Sequence, residues 1–260
     1  MSSDRLEALM NQAEVLIQAK RYDEAISTFQ QALATDPGSI EVLRQYAKAL
    51  AQNNREKEAF EIFEEALKTA PNNVDLLRNY GAVLSKKSQY NKAFAMLEKA
   101  LTIKPSDVKV LGCYSNALKQ AGRLGDSCKI FEKLLEVESE NIININSYSQ
   151  LLMSVGQYEK AFDLFERALQ IQPDSPRTLN QYAAALASAG QYKKALQFFE
   201  RSLQVQPNDE ITLNQYAVAL TSTGQHEKAL QSFERSLQVQ PNNAITLQLL
   251  RCCFNLNWSA

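Results

Sequence analysis

Residues 191–209 read QYKKALQFFERSLQVQPND, and residues 225–243 read QHEKALQSFERSLQVQPNN. The two stretches are nearly identical and begin 34 positions apart. The same interval, or twice that interval, separates six of the seven prolines in the chain, namely Pro37, Pro71, Pro105, Pro173, Pro207 and Pro241. A fixed period of this length predicts a repeat protein, in which one supersecondary unit recurs along the chain.

Other residue types recur in the same register. If the prolines occupy position 32, position 11 is leucine in every full repeat, position 24 is phenylalanine or leucine, and positions 8 and 20 are small. The predicted repeats span residues 6–39, 40–73, 74–107, 108–141, 142–175, 176–209 and 210–243. Residues 244–260 are predicted to form a partial eighth repeat or a capping helix.

The spacing within each repeat is helical. Positions 4, 7, 8 and 11 share one face of a first helix, and positions 20, 24 and 27 share one face of a second. Small residues at positions 8 and 20 let the two helices approach closely, and a larger side chain there would cost roughly 1–3 kcal/mol. Position 15 is glycine in four repeats and is expected to adopt a positive φ in the turn. The predicted N-caps are Ser39, Asn73, Asp107, Ser175 and Asp209.

This pattern resembles the tetratricopeptide repeat (TPR) family, whose unit is a 34-residue helix–turn–helix. The resemblance extends from residue 6 to about residue 243, although position 4, often tryptophan in the family, is aliphatic here, as at Leu9. It implies an all-α fold, a right-handed superhelical solenoid of antiparallel helix pairs whose first helices line the concave face. One helical hairpin cannot bury its apolar face alone, whereas stacked copies bury each other's.

Composition excludes several classes of function. The net charge of −1 argues against a general nucleic-acid-binding protein. The sequence contains no apolar run long enough to span a membrane, and its N-terminus, MSSDRLEALMNQ, lacks the features of a secretory signal. Four cysteines in a disulfide-poor pattern are typical of a reducing compartment. We therefore expect a cytoplasmic protein without nucleic-acid or membrane partners.

Catalytic, cofactor-binding and metal sites are not predicted. The cysteines Cys113, Cys128, Cys252 and Cys253 form no C-x-x-C pair, and His226 is the only histidine. His226 occupies position 17, which is tyrosine in four repeats, so a packing role is expected. Glu166 and Arg167 recur at positions 25 and 26 and are interpreted as part of a solvated charged stripe.

The candidate site is the concave face. The family resemblance implies that positions 2, 5, 6, 9, 12 and 13 point into a groove. In repeats 2–4 the residues at these positions include Arg44, Lys48, Arg78, Asn79, Lys86, Lys109, Asn116 and Lys119, and this half of the face is interpreted as basic. In repeats 5–7 they form a series of amides that includes Asn146, Gln150, Asn180, Gln181, Asn214 and Gln215, together with Arg177.

Amide side chains can donate to and accept from the backbone of an extended peptide. The amide series partly resembles the asparagine-lined groove of the TPR region of O-linked N-acetylglucosamine transferase. The alternative is that these polar residues only keep an exposed face soluble.

The basic half also resembles the carboxylate clamp of co-chaperone TPR domains. Asn79 and Lys109 match that clamp and Arg44 is similar, whereas Lys48 and Cys113 depart from it. Three neighbouring cations predict a preference for an acidic peptide at repeats 2–4.

Two segments are irregular. Repeat 4 has Ser127, Leu134 and Ser139 at positions 20, 27 and 32, and residues 140–147 read ENIININS. We expect either a changed crossing angle or soft joint between repeats 4 and 5, or ordinary variation in a tolerant core. The last segment, AITLQLLRCCFNLNWSA, is apolar around much of a helix. It predicts either a piece of a longer protein or a docking surface, including one for a second copy.

The sequence therefore predicts a non-enzymatic scaffold that binds extended peptide segments of a protein partner in the concave groove. The alternatives are a regulatory or substrate-recruiting module of a larger multidomain enzyme and a self-assembling oligomeric scaffold.

Overall fold

The structure is a computed structural model that describes residues 2–257, with side chains described for residues 4–251. Within residues 2–257 the chain is all-α, without strands. The odd-numbered helices, here called first helices, are α1 Ser2–Gln18, α3 Ile40–Gln52, α5 Val74–Lys86, α7 Val108–Gln120, α9 Ile142–Ser154, α11 Pro176–Ser188, α13 Glu210–Ser222 and α15 Ala244–Asn257. The even-numbered second helices are α2 Tyr22–Thr35, α4 Glu56–Thr69, α6 Tyr90–Ile103, α8 Leu124–Val137, α10 Tyr158–Ile171, α12 Tyr192–Val205 and α14 His226–Val239.

The helices form two compact units, residues Met1–Val137 with α1–α8 and residues Glu138–Ala260 with α9–α15. In each unit a helix packs against its neighbours in sequence, and first helices also contact the next first helix, as α3 contacts α5 and α11 contacts α13. The predicted change in packing between repeats 4 and 5 falls at the boundary between the two units. It therefore stays a prediction.

Each unit has a core built from the recurring apolar positions. In the first unit Phe29 and Phe63 are fully buried at position 24, and in the second unit Phe165, Phe199 and Phe233 occupy the same position. Burying each of these rings contributes about 1.5–3 kcal/mol. The small residues at positions 8 and 20 are buried beside them. At position 8 of the third predicted repeat even an alanine would be crowded, because a Cβ on Gly81 would lie 2.7 Å from Cγ of Leu97.

The turn between each first helix and the second helix that follows it contains one residue with positive φ. Gly122, Gly156, Gly190 and Gly224 have φ values of 76°, 77°, 77° and 75°, which confirms the conformation predicted for position 15. Lys20, Asn54 and Ser88 occupy the same position in the first three predicted repeats, with φ values of 57–59°. A side chain with a Cβ is disfavoured in this conformation.

All five predicted N-cap residues occupy the N-cap position, and four of them make a side-chain capping hydrogen bond. Asn73 accepts a hydrogen bond from the Leu76 N–H at 2.9 Å, and Asp107, Ser175 and Asp209 accept equivalent bonds. Ser39 occupies the N-cap position of α3, as predicted, but its side chain makes no capping hydrogen bond. Asn141 caps α9, and Asn243 accepts from the N–H groups of Ile245 and Thr246 at the start of α15; neither cap was predicted.

Tyrosines at position 7 connect successive repeats. The Tyr182 hydroxyl donates to Glu166 at 2.9 Å, and the Tyr216 hydroxyl donates to Glu200 at 2.7 Å. Burial, and then these hydrogen bonds to carboxylates, raise the pKa of both phenols. Arg167 donates to the backbone carbonyl of Ser139. Glu166 and Glu200 are exposed, as expected for a solvated stripe at positions 25 and 26, and they also accept hydrogen bonds from the next repeat.

The last helix is partly described. Leu249 and Leu250 of α15 pack against the core of the second unit, while Leu247 remains exposed. The remaining apolar residues of the predicted docking surface lie outside the described side chains, namely Cys252, Cys253, Phe254, Leu256 and Trp258. Docking through this helix stays a prediction.

Candidate functional site

Two of the basic groove residues predicted in repeats 2–4 are paired within their own helices. Arg44 Nε donates to Glu41 Oε2 at 2.9 Å on α3. Arg78 Nη2 donates to Asp75 Oδ1 at 2.8 Å on α5. Each acid lies three residues before its arginine, at position 2 of the predicted repeat, and therefore on the same helix face. Both positive charges are thus partly neutralised.

Asp75 is influenced by three cations of the first unit. The pKa of its carboxyl is lowered first by the hydrogen bond from Arg78 and also by the charges of Arg78, Arg44 and Lys109, while burial opposes the shift. The charges of Arg44, Arg78 and Lys109 therefore all act on one carboxylate of the protein itself. A peptide carboxylate at this point would compete with Asp75.

The other four candidates of the first unit differ in their surroundings. Lys48, Lys109 and Asn116 are exposed on α3 and α7. Asn79 on α5 is 9% exposed, and its Nδ2 has no hydrogen-bond partner. Lys48 and Asn79 line one cavity between α3 and α5, whereas Asn116 is not part of that cavity.

In the second unit, the asparagines at position 5 bond to threonines of the following first helix. Asn146 Nδ2 donates to Thr178 Oγ1 at 2.8 Å, and Asn214 Nδ2 donates to Thr246 Oγ1 at 2.8 Å. Asn180 makes the same bond to Thr212. The amide nitrogens of these candidates thus join consecutive first helices. The Oδ1 atoms of Asn146 and Asn214 are buried and have no partner.

The glutamines at positions 6 and 9 lie beside open cavities. A cavity of about 430 Å³ between α9, α11 and α13 is lined by Gln150, Gln181 and Gln215, with Asn180 beside them. A second cavity, of about 510 Å³, lies between α11, α13 and α15 and is lined by Asn214 and Gln215. The Oε1 atoms of Gln181 and Gln215 are buried and have no hydrogen-bond partner.

Aliphatic residues of this face were missed by the sequence reasoning. Ile211, Val218 and Ile245 line the larger cavity and are 63%, 42% and 68% exposed. A signal was present in the sequence, because position 2 is charged in repeats 2–4 but isoleucine in repeats 5 and 7 and in the partial repeat after them. This surface, formed by Asn214, Gln215, Ile211, Val218 and Ile245, is called the apolar groove below.

The described side chains include few candidates for catalytic residues. No three of their histidine, cysteine and acidic residues are grouped closely enough to hold a metal ion. His226 begins α14, and its Nδ1 is buried without a partner. Burial raises the pKa of the Cys113 thiol, with Arg78 acting in the opposite direction. Within residues 2–257, no helix combines the length and apolar character needed to cross a membrane.

Comparison with protein families gives three matches, all described as tetratricopeptide repeat. They cover residues 16–76, residues 62–95, and residues 141–208 together with 174–242. The chain belongs to the tetratricopeptide repeat family. The all-α TPR fold predicted from the sequence is thereby confirmed. A comparison with curated protein sequences gives no match.

Solved TPR structures resemble the chain over most of its length. The C-terminal part of a TPR repeat-containing protein from Cytophaga hutchinsonii is 20% identical, with a TM-score of 0.70 over 93% of this chain and 99% of that one. A TPR protein from Parabacteroides merdae is 16% identical, with a TM-score of 0.67 over 96% and 99%. YrrB, described as a TPR protein with an unusual peptide-binding site, is 21% identical, with a TM-score of 0.55 over 72% and 96%. At these identities the likeness concerns the fold.

Proposed function

We propose that this TPR protein is a non-catalytic interaction scaffold that binds an extended peptide segment of a protein partner along the first helices of its second unit. The observation that carries the proposal is the set of buried amide oxygens without partners, on Gln181, Asn214 and Gln215, beside exposed aliphatic side chains. The ligand implied is one that donates hydrogen bonds and also has apolar side chains.

The energetics favour such a ligand. A buried acceptor without a donor costs about 1–3 kcal/mol, and a peptide N–H would remove that cost. Ile211, Val218 and Ile245 each expose apolar area that a docked side chain would cover. An apolar pocket with a few convergent polar groups is typical of ligand sites.

The asparagine and glutamine side chains of the predicted amide series differ in their hydrogen bonding. Asn146, Asn180 and Asn214 use their nitrogens to join helices, so their oxygens and the amide groups of Gln150, Gln181 and Gln215 are the groups left for a peptide. YrrB, whose fold is similar, has a peptide-binding site according to its description, which supports the proposal.

An array of short peptides, identical except for leucine or serine at the centre, tests the proposal. Wild-type protein is expected to retain the leucine peptides more strongly. Ile245→Asp should weaken that binding by about tenfold or more, because an apolar contact of 1.5–3 kcal/mol is lost. Ile245 lies in the first turn of α15, where an acidic residue is favourable, so the fold is expected to persist.

Two further variants make the test specific. Gln215→Leu removes an unpaired oxygen, so it should weaken peptide binding without lowering the melting temperature. Val15→Asp introduces the same charge at a residue of α1 that is 64% exposed and lies outside the groove. Equal loss with Val15→Asp, or an array without any retained peptide, would contradict the proposal.

The remaining functional expectations stay predictions. These are the preference of repeats 2–4 for an acidic peptide, the cytoplasmic location, a homo-oligomer formed through the last helix, and a role as a module of a larger enzyme. For the acidic preference, the structure adds one fact. Arg44 and Arg78 already pair with Glu41 and Asp75, so these two arginines are less available to an acidic peptide.

A further inference from the structure

The first helices of the second unit carry very little charge. In α9, α11, α13 and α15 the charged residues are Arg177, Glu210 and Arg251 alone. Arg177 and Arg251 are exposed and do not line the larger cavity of the apolar groove, whereas Glu210 does. Among the described residues, no lysine or arginine lines this cavity, so its lining has a net negative charge.

The cavity also contains hydrogen-bond acceptors that no donor satisfies. The Oδ1 atom of Asn214 and the Oε1 atom of Gln215 are buried without a partner. Glu210, one turn before Asn214 on α13, accepts a hydrogen bond from Asn243 through Oε1, and no described residue donates to its Oε2. Three side chains of one helix, each with an unused acceptor, therefore line the cavity.

The side-chain donors of the described lining are mostly engaged. Those that already have an acceptor are Asn214 Nδ2, Asn243 Nδ2 and the hydroxyls of Ser188 and Ser222. The others are Gln215 Nε2 and the Tyr192 hydroxyl, and neither is a buried group without a partner. The buried groups of the cavity thus lack a donor, and a ligand rich in N–H groups would supply it.

The apolar wall of the cavity narrows the choice of donor. Ile211, Val218 and Ile245 are exposed there, so the ligand must also cover aliphatic surface. An arginine side chain combines the two properties, because its methylene groups pack on apolar side chains and its planar guanidinium carries N–H donors and no acceptor. Its permanent positive charge also complements the carboxylate of Glu210.

We propose that this cavity between α11, α13 and α15 is a subsite for an arginine side chain of a bound peptide. The guanidinium donates to the oxygens of Glu210, Asn214 and Gln215. The methylene groups lie against Ile211 and Val218. The inference deepens the proposed function and rests on it, because the peptide bound in the apolar groove supplies the arginine. A lysine is expected to bind less well, since its compact ammonium has fewer donors for the three acceptors.

Titration of the full chain with a capped tripeptide, in which arginine stands between two alanines, tests the site itself. The readout is the side-chain amide resonances of Asn214 and Gln215 in two-dimensional NMR, and the expected result is a saturable shift. A matched tripeptide with citrulline has nearly the same shape but no charge. It should bind roughly tenfold more weakly, since its hydrogen bond to Glu210 is not charge-assisted. A lysine tripeptide should also bind more weakly than the arginine tripeptide.

Two variants test whether one carboxylate causes the preference for arginine. Glu210→Gln keeps the length of the side chain and an acceptor for Asn243, so the fold is expected to persist. It should remove most of the roughly tenfold preference for arginine over citrulline. Glu234→Gln is the control, because it removes an exposed acid of α14 that does not line the cavity, and the preference should remain. Equal loss in both variants, binding of citrulline or lysine as tight as that of arginine, or no shift at all would overturn the inference.

Longer peptides separate this inference from the proposed function. A leucine peptide retained by the array is made again with arginine or citrulline at each other position in turn. Tighter binding of one arginine version than of its citrulline counterpart, lost in Glu210→Gln, supports the subsite and gives its distance from the leucine. If leucine peptides bind but no arginine version gains affinity, the inference fails while the proposed function stands. If the arginine tripeptide binds but the array retains no peptide, the proposed function fails and the arginine site remains.

Discussion

At the scale of single residues, side chains at recurring positions join each repeat to the next. Tyr80 in the first unit and Tyr182 and Tyr216 in the second donate to glutamates sixteen residues earlier. In the second unit Asn146 adds a bond to Thr178 of the next first helix. Packing of apolar faces is not directional, so these polar contacts help to fix the register in which helices stack.

Removing one tyrosine hydroxyl should therefore weaken the stack measurably. Tyr182→Phe keeps the buried ring but loses the bond to Glu166, and we expect the free energy of unfolding to fall by about 1 kcal/mol. Tyr22→Phe is a control, because the Tyr22 hydroxyl makes no hydrogen bond to the described residues. Urea denaturation of both variants measures the difference, and an equal loss in both would contradict the interpretation.

The hydrogen bond between Tyr182 and Glu166 also predicts that the stability of the fold depends on pH. Burial and Glu166 raise the pKa of Tyr182 above its ordinary value. A group whose pKa is higher in the folded state stabilises the fold fully below its ordinary pKa, and this contribution is lost as pH rises towards the folded value. Stability should thus decline above about pH 10, the ordinary tyrosine pKa, and the decline should be smaller in Tyr182→Phe.

At the scale of the element, each first helix depends on how its N-terminus is capped. Asn73, Asp107 and Asp209 bond to N–H groups in the first turn of their helices. Ser39 occupies the same position before α3 but leaves those N–H groups without a side-chain partner. Residue type alone predicts a cap at all four sites, and only the side-chain geometry separates them.

The pair Asn73→Ala and Ser39→Ala tests this distinction directly. Asn73→Ala removes a hydrogen bond to the Leu76 N–H and should cost about 1 kcal/mol of unfolding free energy. Ser39→Ala removes no such bond and should change the stability much less. Thermal denaturation followed by circular dichroism measures both, and similar losses would show that residue type, not geometry, decides the effect.

The sequence predicts elements better than it predicts contacts. Helical spacing, small residues and glycines at position 15 are local properties, and they were sufficient for an all-α TPR fold. The face that each residue occupies also follows from spacing, but its bonding partner does not. Arg44 bonds to Glu41, and Asn146 bonds to Thr178. Which partner a side chain reaches depends on its rotamer. The sequence did indicate one kind of contact, because Glu41 and Arg44 are opposite charges three residues apart, as are Asp75 and Arg78.

At the scale of the whole molecule, stability is distributed along the chain. Within each unit, helices contact only helices close in sequence, and each repeat contributes its own buried ring, such as Phe29 or Phe233. In a repeat protein of this kind, stability is roughly the sum of repeat terms and terms between neighbours. Damage at one end should therefore stay local, unlike damage to the single core of a globular domain.

Hydrogen exchange of two matched variants tests this locality. Phe233→Ala creates a cavity in the second unit and should cost about 3–5 kcal/mol there. We expect amide protection to fall in α11–α14 and to be retained in α1–α6. Phe29→Ala, which removes the equivalent ring of the first predicted repeat, should produce the reverse pattern. Because coupling between neighbouring repeats decays along a stack, the loss of protection should be largest beside the substituted ring. A uniform loss of protection in both variants would instead indicate one cooperative unit, and local stacking would then be insufficient to explain the stability of this chain.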